Sequence, residues 1–129
     1  MAKPLITDEQ MAQLLANGAA SAASEGGIDH HPVVKLFTPD ANATWLLSEV
    51  DPEEPDYAFG VADLGMGCPE MGSVLISELK SVRGKLGLPV ERDLHFTARG
   101  TVGEYTAIAS RLGSLSTDAI HANMALKTT

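Results

Sequence analysis

Residues 32–76 read PVVKLFTPDANATWLLSEVDPEEPDYAFGVADLGMGCPEMGSVLI, and their pattern decides the fold. β-Branched and aromatic residues come in short runs separated by turn clusters, the signature of a meander of antiparallel strands. The runs predict strands near 33–38, 43–50, 57–64 and 71–76. Between them, Pro39-Asp40-Ala41-Asn42 and Asp51-Pro52-Glu53-Glu54-Pro55-Asp56 combine rigid prolines with side chains that bond their own backbone, which favours chain reversal. All six aromatic residues (Phe37, Trp45, Tyr57, Phe59, Phe96 and Tyr105) lie between positions 37 and 105, so the large-area core contacts belong to that longer span.

On the N-terminal side, Thr7-Asp8-Glu9-Gln10 is a capping box, with Ile6 and Met11 at the spacing of a hydrophobic staple. A helix starts there, carries a narrow stripe of Met11, Leu14, Leu15 and alanines, and meets a stop at Gly26-Gly27. On the C-terminal side, Ser77 is placed to cap a short helix bearing Leu79, Val82 and Leu86, closed by Gly84 or Gly87 and Pro89. A fifth strand is predicted near 91–97, putting Asp93, His95 and Thr97 on one face. Thr101-Val102-Gly103-Glu104 is a second capping box, opening a core helix with Tyr105, Ile108, Ala109 and Leu112 that ends at Gly113. Residues 114–129 carry only a weak helical pattern near 118–126 and no aromatic anchor, so they read as a loosely ordered tail. The expected organisation is one α+β domain over 1–113, an antiparallel sheet of four or five strands with two or three helices, followed by that tail.

At 129 residues, with 44% hydrophobic and 20% charged residues, the chain has the composition of one ordinary globular domain, which excludes wholesale disorder, a collagen and a disulfide scaffold. The single cysteine, Cys68, forms no internal bridge and fits a reducing compartment. The longest uncharged run, Gln10 to Ser24, is too polar to span a bilayer, and Asp8 and Glu9 stand where a signal peptide needs positive charge. A cytoplasmic protein without membrane contact is expected.

The net charge of −8 is the wrong sign for binding nucleic acid through the general surface. Its distribution is uneven. From Leu36 to Leu79 there is no Lys or Arg against nine acidic residues: Asp40, Glu49, Asp51, Glu53, Glu54, Asp56, Asp63, Glu70 and Glu78. From Lys80 to Arg111 six basic residues face three acidic ones. Such a band suits a basic partner protein, even one that normally binds DNA; charged turns that keep a hairpin soluble are the plainer explanation.

Three local constellations carry possible chemistry. Asp29-His30-His31 has metal-ligand residue types, but neighbours in a loop seldom both point at one ion, and a solvated connector is the simpler reading. Leu64-Gly65-Met66-Gly67-Cys68-Pro69-Glu70-Met71-Gly72 is neither a Walker A loop nor a dinucleotide fingerprint. Its thiol has no local cation, so it reads as a turn with glycines at positive φ, or as a binding loop with Met66 and Met71 as adaptable contacts. Asp93 and His95, with a carboxylate such as Asp63 or Glu70, could surround a divalent ion in a small hydrolase or nuclease; a solvated strand with exposed ion pairs is the plainer account. No metal site and no cofactor are predicted.

Taken in order, Lys35-Leu36-Phe37-Thr38-Pro39, Ala43-Thr44-Trp45, Phe59-Gly60, Leu64-Gly65, Pro69-Glu70-Met71-Gly72, Ser77-Glu78-Leu79, Val82-Arg83-Gly84 and the run from Gly87 to Phe96 resemble domain-of-unknown-function family 2958. The resemblance covers about Pro32 to Tyr105 and carries no catalytic residue over. It implies a small bacterial protein of plasmids and integrative elements, whose genes travel with conjugation and anti-restriction genes. The combined expectation is a non-enzymatic accessory that contacts a basic partner through Trp45, Asp51, Glu53, Glu54, Asp63 and Glu70. The competing expectation is the metal-dependent hydrolase.

Overall fold

The computed structural model describes residues 4–127. Helix α1 (Asp8–Ala23) precedes strands β1 (Val34–Phe37), β2 (Thr44–Val50), β3 (Tyr57–Asp63) and β4 (Glu70–Leu75). Then come α2 (Ile76–Ser81), a two-residue β5 (Glu91–Arg92), α3 (Val102–Leu112) and α4 (Thr117–Lys127). The strands form one antiparallel sheet in the order β4-β3-β2-β1-β5, an α+β arrangement built on the expected meander. Both capping boxes are made: Thr7 and Gln10 close the start of α1, and Thr101 and Glu104 close the start of α3.

The sheet is covered on both faces. Leu14 of α1 and Ile76 and Leu79 of α2 pack with Val34, Leu36, Trp45, Leu47 and Val50 on one face. On the other, Leu46 and Val61 pack with Val102, Tyr105 and Ile108 of α3, with Leu115, and with Ile120 of α4. Leu47 and Val50 reach the same core although three residues apart, because the β2–β3 register shifts between Leu47 and Glu49. Helix α1 lies close on β2: a Cβ at Gly18 would stand 1.8 Å from the Val50 carbonyl oxygen. Trp45 is 5% exposed and belongs to the core.

Four local expectations change. Ser77 does not cap α2. The Asp56 carboxylate does so from the β2–β3 turn, accepting from the Ser77 backbone N–H (2.8 Å) and hydroxyl (2.6 Å), while the Asp56 carbonyl accepts from Ile76 N–H. These bonds from Ser77 hold the Asp56 carboxyl below its ordinary pKa. Leu86 lies beyond the end of α2 and is exposed. The strand expected over 91–97 ends at Arg92, because the Asp93 carboxylate accepts from His95 N–H (2.8 Å) and turns the chain.

The segment after Gly113 is the fourth change. It forms α4, with Leu115 and Ile120 buried and Met124 packed on the same core. The aromatic anchor comes from α3. Tyr105, fully buried, places its hydroxyl 2.5 Å from Nε2 of His121 and accepts from Arg99 N–H (3.1 Å). Burial pushes the Tyr105 phenol up, so it stays protonated beside the His121 ring. Burial, with Arg99 and Lys35 adding and Asp118 opposing, holds His121 below its ordinary value.

Two outcomes follow from this packing. Ile120→Ala removes a fully buried side chain and should cost about 2–5 kcal/mol in urea unfolding, where a loose tail would give almost nothing. His121 has a depressed pKa in the fold, so the unfolded chain takes up the proton more readily. Its contribution is complete above about pH 6.5 and is lost as pH falls from there toward the folded value. The drop in Tm between about pH 7.5 and about pH 5.5 should therefore shrink in His121→Gln, which leaves an acceptor near the Tyr105 hydroxyl at both values.

Candidate functional site

Two of the concave regions gather the residues singled out for metal or thiol chemistry. The first is a polar cleft of about 600 Å³ where the β1–β2 turn, the end of β3 and the α3–α4 connection meet, lined by Lys35, Thr38, Asn42, Asp63, Asp93 and Ser116 among others. Asp63 is buried at the end of β3. One carboxylate oxygen accepts from Gly65 N–H (2.8 Å) and the other from Leu115 N–H (2.9 Å), which ties the α3–α4 connection to the sheet. Lys35 donates to the Thr117 hydroxyl (2.7 Å) and lies 3.5 Å from Asp93. The Asp93 carboxylate is also the acceptor of the His95 turn. Each ionic group of this cleft is thus engaged by the fold.

The structure therefore brings Asp63 and Asp93 to one cleft but does not add the other members of the hydrolase set. His95 is exposed beyond the cleft walls, and Glu70 lines a different groove. Among the described residues, no group of three His, Cys, Asp or Glu side chains is placed to hold a metal ion. Asp29-His30-His31 is a structural connector. Asp29 accepts from Gly103 N–H at the start of α3 (2.9 Å), the His30 ring lies 3.0 Å from the Asn17 carbonyl of α1, and the His30 carbonyl accepts from Val102 N–H.

The second region is a groove of about 260 Å³ on the α1 side of β2–β4. Register explains it. Leu47, Gly60 and Gly72 lie side by side across β2, β3 and β4, and the next row is Trp45, Ala62 and Glu70. Gly72, where no atom lies within 4 Å of a Cβ position, and Ala62 leave a trough floored by Trp45, while at Gly60 a Cβ would stand 1.8 Å from the Leu46 carbonyl oxygen of β2. Its mouth is formed by the 64–71 loop, with Met66 74% exposed, Met71 50% exposed, and Cys68 exposed. Gly65 and Gly67 hold φ of 82° and 79°, so this loop is the positive-φ turn expected for it.

The acidic band divides by use. Asp40 accepts from Leu86 N–H (2.6 Å), Glu49 from the Ser21 hydroxyl, Asp51 from Glu53 N–H, Asp56 from Ser77, and Asp63 from Gly65 and Leu115. Among the described residues, Glu53, Glu54, Glu70 and Glu78 are exposed with no side-chain partner. Of the contact surface expected from sequence, Trp45 and Asp63 are buried, whereas Asp51, Glu53, Glu54 and Glu70 are exposed. Glu53 and Glu54 lie in the turn at one end of β3, and Glu70 lies at the other end of the sheet. The small-residue trough was hidden in the sequence. Gly60 and Gly72 are twelve positions apart, and only the strand register makes them neighbours.

A small α+β protein with a polar cleft whose ionic groups are engaged by the fold, and a smaller groove, is what these features define. The chain belongs to the family described as protein of unknown function (DUF2958), whose model matches residues 5–116. The match takes in α1, which lies outside the resemblance carried by the short blocks from Pro32 onward. No curated protein and no solved structure matches the chain. Among the described residues, no helix is long and apolar enough to cross a membrane.

Asp63→Ala should leave the buried Leu115 N–H without an acceptor, costing about 1–3 kcal/mol. The urea midpoint should fall with little change in slope; an unchanged midpoint would show that the Asp63–Leu115 bond contributes nothing net.

Proposed function

We propose that this protein is a non-enzymatic binding module, an accessory that contacts a basic partner protein through exposed carboxylates. The carrying observation is the division of the acidic band. Five of its carboxylates are spent on internal hydrogen bonds, while Glu53, Glu54, Glu70 and Glu78 reach solvent unpaired among the described residues, in a segment with no Lys or Arg. Unpaired surface charge of one sign steers encounter with a partner of the other. The polar cleft supports binding over catalysis, because its ionic groups Asp63, Asp93 and Lys35 are held by fold contacts and none is left poised as a base or nucleophile.

Asp51 and Asp56 organise the turn and α2, so the test variant spares them. Glu53→Gln with Glu54→Gln should melt like the parent protein. On a partner captured from host lysate, it should slow association several-fold and flatten the salt dependence, since exposed charges act over a Debye length of about 8 Å at physiological salt. Unchanged association rates would mean that these carboxylates serve solubility alone.

A further inference from the structure

The two edges of the sheet are unequal. β5 is two residues long, and Arg92 donates to the Pro4 carbonyl, so that edge is short and crossed by the N-terminal segment. β4 runs from Glu70 to Leu75 in unbroken register with β3. Among the described residues, no backbone or side-chain hydrogen bond reaches its outer side. Proteins ordinarily blunt such an edge with a proline, a bulge, an inward charge or a covering loop. Within β4 there is no proline, bulge or inward charge; Pro69 immediately precedes it, α3 packs near the strand, and its one charged residue is Glu70, at the first position. At Gly72, mid-strand, no atom lies within 4 Å of where a Cβ would stand.

Charge brackets this open strand. Glu70 begins it. Just beyond its end stand Glu78 of α2 and the Glu53-Glu54 turn, which Asp56 ties to the start of α2. Beside it runs the trough left by Ala62 and Gly72 above Trp45.

We propose that the outer edge of β4 is a docking strand for an extended segment of a basic partner protein. That segment pairs as a sixth strand over roughly 17–20 Å, the length of six extended residues. It sets an apolar side chain, the one opposite Gly72, into the trough, and places Lys or Arg at its two ends against Glu70 and Glu78. The identity of the partner as basic rests on the reading given under Proposed function; the use of the β4 edge does not. A second copy of the chain is the poorer occupant, because two copies at −8 each would bring Glu70 of one toward the Glu78 end of the other in an antiparallel pairing.

The probe is an acetylated, amidated peptide with two lysines at each end and a Val-Thr-Val-Thr centre, titrated into the full chain. At saturation, outward amides of residues 70–75 should exchange with solvent at least tenfold more slowly, while the β5 edge is unchanged. The same peptide N-methylated at alternate amides should give no protection, since it cannot pair along the edge. Glu70→Gln with Glu78→Gln alters two exposed, unpartnered side chains, and should weaken the lysine peptide several-fold. Equal binding of the methylated peptide, or protection elsewhere than β4, overturns the docking strand while leaving the acidic reading to the Glu53 and Glu54 variant. A peptide with glutamates for lysines that protects β4 equally well overturns the basic partner and leaves the edge. Protection of β4 without peptide, together with a dimer by sedimentation, overturns both in favour of a second copy.

Discussion

The β2 strand must be dry on both faces, and most of the architecture answers that requirement. Trp45 and Leu47 project to one core and Leu46 to the other, so neither side of the sheet can be left to water. One face is met by α1, which approaches closely enough that position 18 admits only glycine against the Val50 carbonyl. The other is met by α3, which is only eleven residues long and leaves room beside it. Leu115 and Ile120 fill that room, and the Asp63 carboxylate fixes where the connection to α4 begins.

The parts legible in the sequence are those set by local chemistry. Two capping boxes placed two helix starts, and the turn clusters placed four strands to within about a residue, because these signals act over a few neighbouring positions. The parts that were not legible depend on distant residues. Around Ile120 the signal is thin, since only Met124 repeats an apolar residue at helical spacing on that core, and the aromatic packed beside it, Tyr105, lies on another helix. Trp45 could not be assigned to core or surface by alternation, because a strand buried on both faces has no polar side for comparison. Asp93 ended β5 by bonding two residues onward, a choice that a solvated strand pattern over 91–97 does not reveal.

The candidate site was legible as charge but not as geometry. The absence of Lys and Arg from Leu36 to Leu79 is visible in the sequence, yet it does not say which carboxylates are available. Asp40, Asp56 and Asp63 resemble Glu53 and Glu54 in composition terms and differ wholly in use. Each of the three aspartates reaches backbone N–H groups far along the chain, at Leu86, Ser77 and Leu115. Aspartate is suited to that work because its short side chain brings the carboxylate close to the backbone with little rotamer entropy lost. Of the band's five glutamates only Glu49 is engaged, by the Ser21 hydroxyl, and the other four are left in solvent. A band that looks uniformly acidic is therefore a structural set made mostly of aspartates interleaved with an exposed set of glutamates.

That separation also bears on why the sheet has one open edge. The β1 side is closed by β5 and by Arg92 reaching the Pro4 carbonyl, at the boundary where the chain turns from acidic to basic. The β4 side lies wholly within the segment without Lys or Arg, so it lacks the lysines that most often protect edge strands. Its protection against other copies of itself comes instead from repulsion: Glu70 at one end and Glu53, Glu54 and Glu78 at the other oppose any edge with the same charge. Repulsion of this kind is selective where a proline or a bulge is not. On the proposed docking it would discourage pairing with a second copy and leave the edge accessible to an oppositely charged strand, so the same four carboxylates would serve both ends.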